Sequence, residues 1–535
     1  MMDEQLGAWL LFDQIAHHAR ATEVVTMQAG TRHIVRSTYG EIADRSQQLM
    51  HALDTLGVAK GAPVATLAWN SQCHLECYFA IPCAERVIHT VNVRLSADEI
   101  SYILADAGDR VVFADADLLP VLSEATAGFT SVETVVVFGD VPAGSPGNLV
   151  PYEELLAREP VSYPWRRIDE HATLGLCYTS GTTGSPKGVA YTHRSTFLHA
   201  LAATSATACA VGPGDAVLPL VPMFHASAWG LPYAAAAAGA KQVFLAGAAH
   251  PAAIVDLLLQ ERVTIAAGVP TIWLSVEEEL DARGAVLPDL RHIVVGGSQP
   301  PRPLMRRYLD KYDVPILQAW GMTETSPLAS IAWPAGYMAD WDPERVMDAA
   351  RSQAGRPLPG VRISIRDEAG EEVPRDGTTV GTLLVRGPWV ADRYTTAVDG
   401  ARWTDDGWFD TGDLAAWNSD GYFVIADRAK DLIKSGGEWI SSLDMENAIA
   451  SIPTVREVAV IAVPHEKWQE RPLACIALED DASVELEEIC ESLAGAGFAK
   501  WQMPDRIEIL DAIPRTSVGK YDKKVLRARY GTPAS

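Results

Sequence analysis

The sequence predicts an α/β protein. A large N-terminal domain of several subdomains, made of layered α/β sheets plus a β-rich subdomain, precedes a small C-terminal α/β domain. Three observations carry this reading. The 535 residues exceed the roughly 250–300 that a single hydrophobic core fills. Short apolar runs alternate with helical patterns through the first part of the chain. From residue 355 or so the pattern changes to short strands broken by turns, and the remainder after 431 returns to a compact α/β pattern.

In residues 1–170, Pro63–Trp69, Val87–Val91, Arg110–Ala114 and Thr134–Phe138 read as strands, with Glu41–Leu56 and Ala97–Ala107 as helices among them. No GxGxxG is present there, so a dinucleotide fold of the usual kind lacks support. Leu174–Tyr178 is a short buried strand. Thr192 is placed to cap a helix running to about Ala206. Lys241–Leu245, Val263–Ala267, His292–Val295 and Pro315–Gln318 are further strands. The short Ala-rich run Ala234–Ala240 suits a tightly packed helix. In the β-rich part, Val361–Arg366, Gly381–Arg386 and Tyr422–Ile425 are strands. In the small domain, Glu457–Val463 and Leu473–Ala477 are strands. Val484–Leu493 is a helix with Leu486, Ile489, Cys490 and Leu493 on one stripe. The last helix, about Tyr521–Tyr530, is basic, and its lysines and arginines read first as a solvated face.

The formal charge of −25 argues against a nucleic-acid partner. The seven scattered cysteines give no second ligand pair for a metal and read as buried thiols in a reducing compartment. Asp3 and Glu4 replace the basic start of a signal peptide. The longest apolar run, Ala228–Ala240, is shorter than the roughly 20 residues of a membrane helix. A cytoplasmic location is the expectation.

The chemistry centres on Thr179-Ser-Gly-Thr-Thr-Gly-Ser-Pro-Lys187, between the strand and the capped helix. Two glycines, five hydroxyls and one lysine in nine residues exceed what a turn needs. Glycines admit phosphate to backbone N–H groups, hydroxyls add donors, and Lys187 adds charge. It is not a Walker A loop. Pro186 stands where the second glycine belongs, and Gly188 follows the lysine where a metal-binding hydroxyl is required.

This loop resembles the phosphate loop of the adenylate-forming superfamily, and further segments match in order across most of the chain. The resemblance is closest to medium- and long-chain fatty acyl-CoA synthetases. It implies ATP, Mg²⁺ and coenzyme A as partners of a small carboxylic acid. Thr179, Ser180, Gly181, Thr182, Thr183, Gly184 and Lys187 would hold phosphates, with Thr179 also near the metal. Leu220-Val-Pro-Met-Phe-His-Ala-Ser-Ala-Trp-Gly230 resembles the acyl-site segment, so His225 would border the carboxylate and Trp229 the acyl tunnel. Spacing alone leaves His225 a core histidine. Gly296, Gly297, Ser298 and Gln299 end a strand where substrate and nucleotide would approach. Ala319, Trp320, Gly321, Met322, Thr323 and Glu324 resemble the aromatic-Gly-x-Thr-Glu segment. Trp320 would then stack on adenine, Thr323 meet the α-phosphate and Glu324 ligate Mg²⁺.

Asp413 would hold the ribose hydroxyls; a lone Thr-Gly-Asp is otherwise an ordinary turn. The segment from Asp427 to Ile440 resembles the interdomain hinge. Arg428 would contact ribose, Lys430 act as the hinge and Lys434 serve the thioester step. Gly436, Gly437 and Trp439 would line the pantetheine channel. Lys520, on the loop Ile513–Lys520, would bind the carboxylate and α-phosphate during adenylation. The implied division is residues 1–429 as the large adenylation domain and 430–535 as a mobile lid, and homodimers are common in such enzymes. Trp389 has no role derivable from sequence. A CoA ligase for a short, sulfur-containing or ring-bearing acid, or an adenylating enzyme that does not use CoA, are the alternatives the residues leave open.

Overall fold

The computed structural model describes residues 2–128, 131–141, 148–164, 167–179, 186–396, 402–428, 431–435, 438–465, 467–479, 482–516 and 520–531, apart from the side chains of residues 427, 428, 438 and 439. Four sheets organise these residues. The first runs in the order Leu149–Pro151, Thr134–Phe138, Val111–Asp115, Pro63–Leu67, Val87–Thr90, Thr173–Tyr178 and Gly188–Thr192. All neighbours are parallel except the last pair. The continuous apolar runs of Thr134–Phe138 and Val111–Asp115 fit strands covered on both faces.

The second sheet has Glu23–Gln28, Lys241–Ala246, Ala216–Pro219, Ile265–Gly268, His292–Val295 and Ile316–Gly321 as a parallel centre. Ile34–Thr38 lies antiparallel at one edge, and Leu328–Ile331 followed by Arg356–Pro357 at the other. The strands Glu23–Gln28, Ile34–Thr38, Leu328–Ile331 and Gly188–Thr192 were not among those anticipated. Thr192 caps its helix as expected, accepting the Ser195 N–H at 3.0 Å.

Both parallel sheets turn their C-terminal strand ends toward one cleft, and Asn70 fastens them together. Its amide donates to the carbonyls of Pro219 (3.0 Å) and Val221 (2.9 Å) and accepts from Met223 N–H at 2.6 Å. Tyr78 adds a bond from its hydroxyl to the Met223 carbonyl. The strand ends of two separate cores thus share one loop, at the sheet edge where α/β folds bind ligands.

The third sheet is antiparallel: Arg362–Arg366, Gly381–Arg386, Phe409–Trp417 and Phe423–Arg428. Thr411-Gly-Asp413, which standing alone would be an ordinary turn, lies inside the strand Phe409–Trp417, with Gly412 at φ +73°.

The small fourth sheet joins Glu438–Ile440, Ile433–Ser435, Gln469–Leu478 and Val455–His465, with Arg506–Ile509 parallel to Gln469–Leu478. Ile433, Ile440, Met445, Ile449, Ile489 and Leu493 are among its core residues. The basic last helix, Lys523–Tyr530, is not simply a solvated face. Lys523 pairs with Glu446 at 2.7 Å and Arg527 pairs with Asp431. Two of its cations therefore fasten the helix to the start of the small domain.

All seven cysteines are free. Among the described residues, no helix is long and apolar enough to cross a membrane.

Candidate active site

The loop that opens the site is closed at its neck by backbone bonds. Thr179 N–H donates to the Lys187 carbonyl at 2.9 Å, and Lys187 N–H donates to Thr179 Oγ1 at 3.3 Å. A side chain at Gly188 would strike Thr395 Oγ1 at 2.4 Å, so glycine is required there. Ser180, Gly181, Thr182, Thr183 and Gly184 lie outside the described residues. Lys187 Nζ sits 5.2 Å from the centre of the Tyr394 ring, a cation–π distance. The Tyr394 hydroxyl donates to Glu324 Oε1 at 2.7 Å. Burial, and then the Glu324 charge, raises the pKa of that phenol, so it stays a donor. One tyrosine thus links the loop lysine to the carboxylate from the second sheet.

The strand Ile316–Gly321 carries Ala319 and Trp320 to its end, where both are buried. Trp320 Nε1 donates to Asp413 Oδ2 at 3.0 Å, and Phe423 meets the indole edge-on at 5.6 Å. Gly321 follows because a Cβ would lie 2.0 Å from the Pro327 carbonyl oxygen. Met322 and Thr323 are half-buried, and the Thr323 carbonyl accepts the Tyr191 hydroxyl at 2.8 Å. Gln299 donates its amide to the Ser352 carbonyl at 3.0 Å, while Ser298 is exposed beside it.

The segment that ends at Trp229 is built on an unusual backbone. Ala226, Ser227, Ala228 and Trp229 all have φ between +43° and +56°, a left-handed turn completed by Gly230 at +72°. Such residues cost about 1–2 kcal/mol each, so the surrounding fold must hold the turn. Its contacts do so. A Cβ at Gly230 would fall 2.5 Å from the His199 ring, and Tyr78 and Thr90 hold the carbonyls of Met223 and Phe224 just before it. The turn lays the Trp229 indole on Gly296, where a Cβ would sit 3.0 Å from Cη2 and 3.1 Å from the Ala319 carbonyl oxygen.

Lys520 reaches the same place from the small domain. A Cβ on Gly297 would lie 3.0 Å from Lys520 Cε and 3.9 Å from its Nζ. His225 is partly buried. Burial, reinforced by the charges of Lys520 and Arg94, pushes its pKa down to about 3, so it is neutral at physiological pH.

The structure therefore gathers Thr179, Lys187 and Glu324 around Tyr394, Trp320 with Asp413, and Trp229, Gly296, Gly297, His225 and Lys520 at adjoining strand ends. Lys434 is exposed in the small sheet, its N–H bonded to Glu470 Oε2 at 2.8 Å. Lys430, Gly436 and Gly437 lie outside the described residues, as do the side chains of Arg428 and Trp439.

Sequence reasoning missed Asn70, Tyr394 and His199, and it left Trp389 without a role. Trp389 is buried, and its Nε1 donates to the Leu328 carbonyl at 3.0 Å, while His199 Nε2 accepts Leu328 N–H at 3.2 Å. Two side chains from other subdomains satisfy one strand residue just beyond Glu324. No sequence signal marks such pairings.

The family model "AMP-binding enzyme" matches residues 11–395, and the model "AMP-binding enzyme C-terminal domain" matches residues 444–520. The chain belongs to the AMP-binding enzyme family. It is 44% identical over 534 residues to a long-chain-fatty-acid–CoA ligase of Thermus thermophilus, covering 99% of this chain and 96% of that one. It is 39% identical to a medium-chain-fatty-acid–CoA ligase of Ectopseudomonas oleovorans, covering 99% and 97%. It is also 39% identical to a 3-methylmercaptopropionyl-CoA ligase of Ruegeria pomeroyi, covering 99% and 98%. A crystal structure of ATP-bound MatB from Rhodopseudomonas palustris superposes with a TM-score of 0.82 at 26% identity, covering 98% of this chain and 99% of that one.

The adenylate-forming fold, the small C-terminal domain, and the use of ATP, Mg²⁺ and coenzyme A are those of this family. The donors present suit Mg²⁺. Among the described residues no three His, Cys, Asp or Glu side chains converge as a cage. Mg²⁺ instead favours one or two carboxylates plus substrate phosphates, and the Glu324 carboxylate, bonded to the tyrosine that carries Lys187 on its ring, would fit that preference.

Proposed function

We propose that this AMP-forming acyl-CoA ligase acts on a medium- or long-chain fatty acid and that one swivelling domain serves both half-reactions. The observation that carries the reading is Lys520 lying over Gly297, one residue from the glycine that seats Trp229. A mobile cation and an apolar ring meet at one point, as activation of a carboxylate with a greasy tail requires.

In the first half-reaction a carboxylate oxygen attacks the α-phosphorus of ATP, a P–O bond forms, and pyrophosphate leaves. Lys187 and the phosphate loop orient the triphosphate, Trp320 and Asp413 hold the nucleoside, and Thr323 meets the α-phosphate. Lys520 stabilises charge on phosphorus. Glu324, together with Thr179, would hold Mg²⁺, which when bound would supply neutralisation of charge on the phosphates. Gly297, Ser298 and Gln299 border the nucleotide, and neutral His225 borders the carboxylate. In the second half-reaction residues 430–535 turn about Lys430, withdrawing Lys520 and bringing up Lys434, Gly436, Gly437 and Trp439. Arg428 stays with the ribose. The CoA sulfur attacks the acyl carbon, a thioester C–S bond forms, the C–O bond to AMP breaks, and the thiol proton is released. Such lid motions commonly gate turnover.

A hydrophobic acid suits a site bordered by Trp229 and by small residues such as Ala319 and Gly296. The long- and medium-chain relatives support that choice, and the 3-methylmercaptopropionyl relative supports a second reading, a short sulfur-containing acid. A panel of acids from three to eighteen carbons, including thioether and ring-bearing members, scored by CoA-thioester mass, separates the readings. Highest kcat/KM at about eight carbons or more supports the proposal, and a maximum at a short thioether acid overturns the chain-length part. A cytoplasmic homodimer belongs to the same proposal, with sedimentation as its test.

A further inference from the structure

The mechanism leaves one buried titratable pair unused. His89 Nδ1 and Asp109 Oδ2 lie 2.6 Å apart, and both side chains are fully buried. Among the described residues, His89 Nε2 and Asp109 Oδ1 have no hydrogen-bond partner. Burying such a pair is costly and is weak evidence for stability. Its location is informative. His89 is on the strand Val87–Thr90, beside Thr173–Tyr178. Its ring lies 5.1 Å from that of Tyr178, the residue immediately before the phosphate loop.

Asp109 follows the helix Ala97–Ala107, whose Gly108 takes a left-handed cap. Asp106, in the last turn of that helix, accepts the Tyr178 hydroxyl at 2.7 Å. Carboxylates at a helix C-terminus oppose the helix dipole, so neither aspartate serves the helix itself. Together they hold Tyr178 at two points: Asp106 fixes the hydroxyl, and Asp109 fixes the histidine packed on the ring. The Tyr178 ring in turn lies 3.2 Å from where a Gly188 Cβ would be, across the neck closed by Thr179 and Lys187.

We propose that the His89–Asp109 pair is a positioning device for the phosphate loop, setting the angle at which Thr179 and Lys187 meet the nucleotide. The inference rests on the reading of that loop as the ATP site. Neither residue touches substrate, so both act through Tyr178.

The test is acid-dependent ATP–pyrophosphate exchange with the full-length enzyme, together with thermal unfolding. Asp109→Ala should raise the KM for MgATP on the order of tenfold while the KM for the acid stays within about twofold. Asp109→Asn, which keeps an acceptor for His89, should recover most of the loss. If Asp109→Ala does not fold, His89→Phe, which keeps a ring against Tyr178 but removes the bond to Asp109, should raise the MgATP KM about threefold. A folded variant with a lower unfolding temperature but unchanged KM for MgATP makes the pair merely structural and overturns the proposal. Wild-type enzyme without acid-dependent exchange would instead defeat the ATP reading, so the two failures are distinct.

Discussion

Trp320 donates its indole N–H to Asp413 at 3.0 Å, joining a residue of the second sheet to one of the β-rich sheet 93 positions later. The flat face proposed for adenine and the carboxylate proposed for ribose are therefore set by one bond. Trp320→Phe keeps a ring but removes the indole N–H that Asp413 accepts. A hydrogen bond to a charged group is worth about 1.5–3 kcal/mol, so the KM for ATP should rise by about tenfold or more while the KM for the acid is unchanged. Steady-state kinetics with each substrate varied in turn checks this.

Gly296 seats the Trp229 ring, and a Cβ there falls 3.0 Å from Cη2. Gly296→Val should therefore displace the indole and close the acyl site. Loss of kcat/KM should be largest for the longest acids, with the KM for ATP preserved. Adding Trp229→Leu should restore part of the activity, because the steric conflict is with that ring. Equal loss across all chain lengths would mean that the pair does not border the acyl chain.

Tyr394 orients Glu324 through a 2.7 Å bond and carries Lys187 on its ring. Removing the hydroxyl leaves the carboxylate free to rotate. Residues that orient a metal ligand typically contribute about 10–100-fold in affinity or activity. Tyr394→Phe should raise the Mg²⁺ concentration for half-maximal exchange by about tenfold. Titration of Mg²⁺ at fixed ATP measures it.

Four histidines, His74, His193, His199 and His292, are almost wholly buried, and burial pushes each down from 6.5 to about 4. A folded-state pKa below the unfolded one means that the unfolded chain binds more protons between those values. Stability should therefore be fully present above about pH 6.5 and fall steadily as the pH drops toward 4. Unfolding temperatures at pH 7.5, 6 and 5 should decrease in that order; a flat series would contradict the burial of neutral imidazoles. His225 is neutral across the same range, so the pH–rate profile should show no limb near 6.5 that disappears in His225→Gln.

Many of the strands and one helix cap were legible because their signals are local. Thr134–Phe138 and Gly381–Arg386 match the expected bounds, and Thr192 caps its helix. The left-handed turn from Ala226 to Trp229 was not legible, because Ala-Ser-Ala-Trp carries no glycine to announce it. It exists because partners such as His199 and Tyr78, distant in sequence, enclose it. The same holds for Asn70, whose three bonds cross about 150 residues, and for Arg527, whose partner Asp431 lies 96 residues earlier. Composition gives a basic helix; only the assembled domain shows which of its cations are paired.

The most direct test is to separate the two half-reactions in Lys520→Ala. The lysine over Gly297 is proposed to act in adenylation alone. Acid-dependent ATP–pyrophosphate exchange should fall by a factor on the order of 10²–10³, while thioester formation from supplied acyl-adenylate and CoA should continue near the wild-type rate. Exchange that survives the substitution, or an equal loss in both half-reactions, would contradict the assignment of separate faces of the small domain to separate steps.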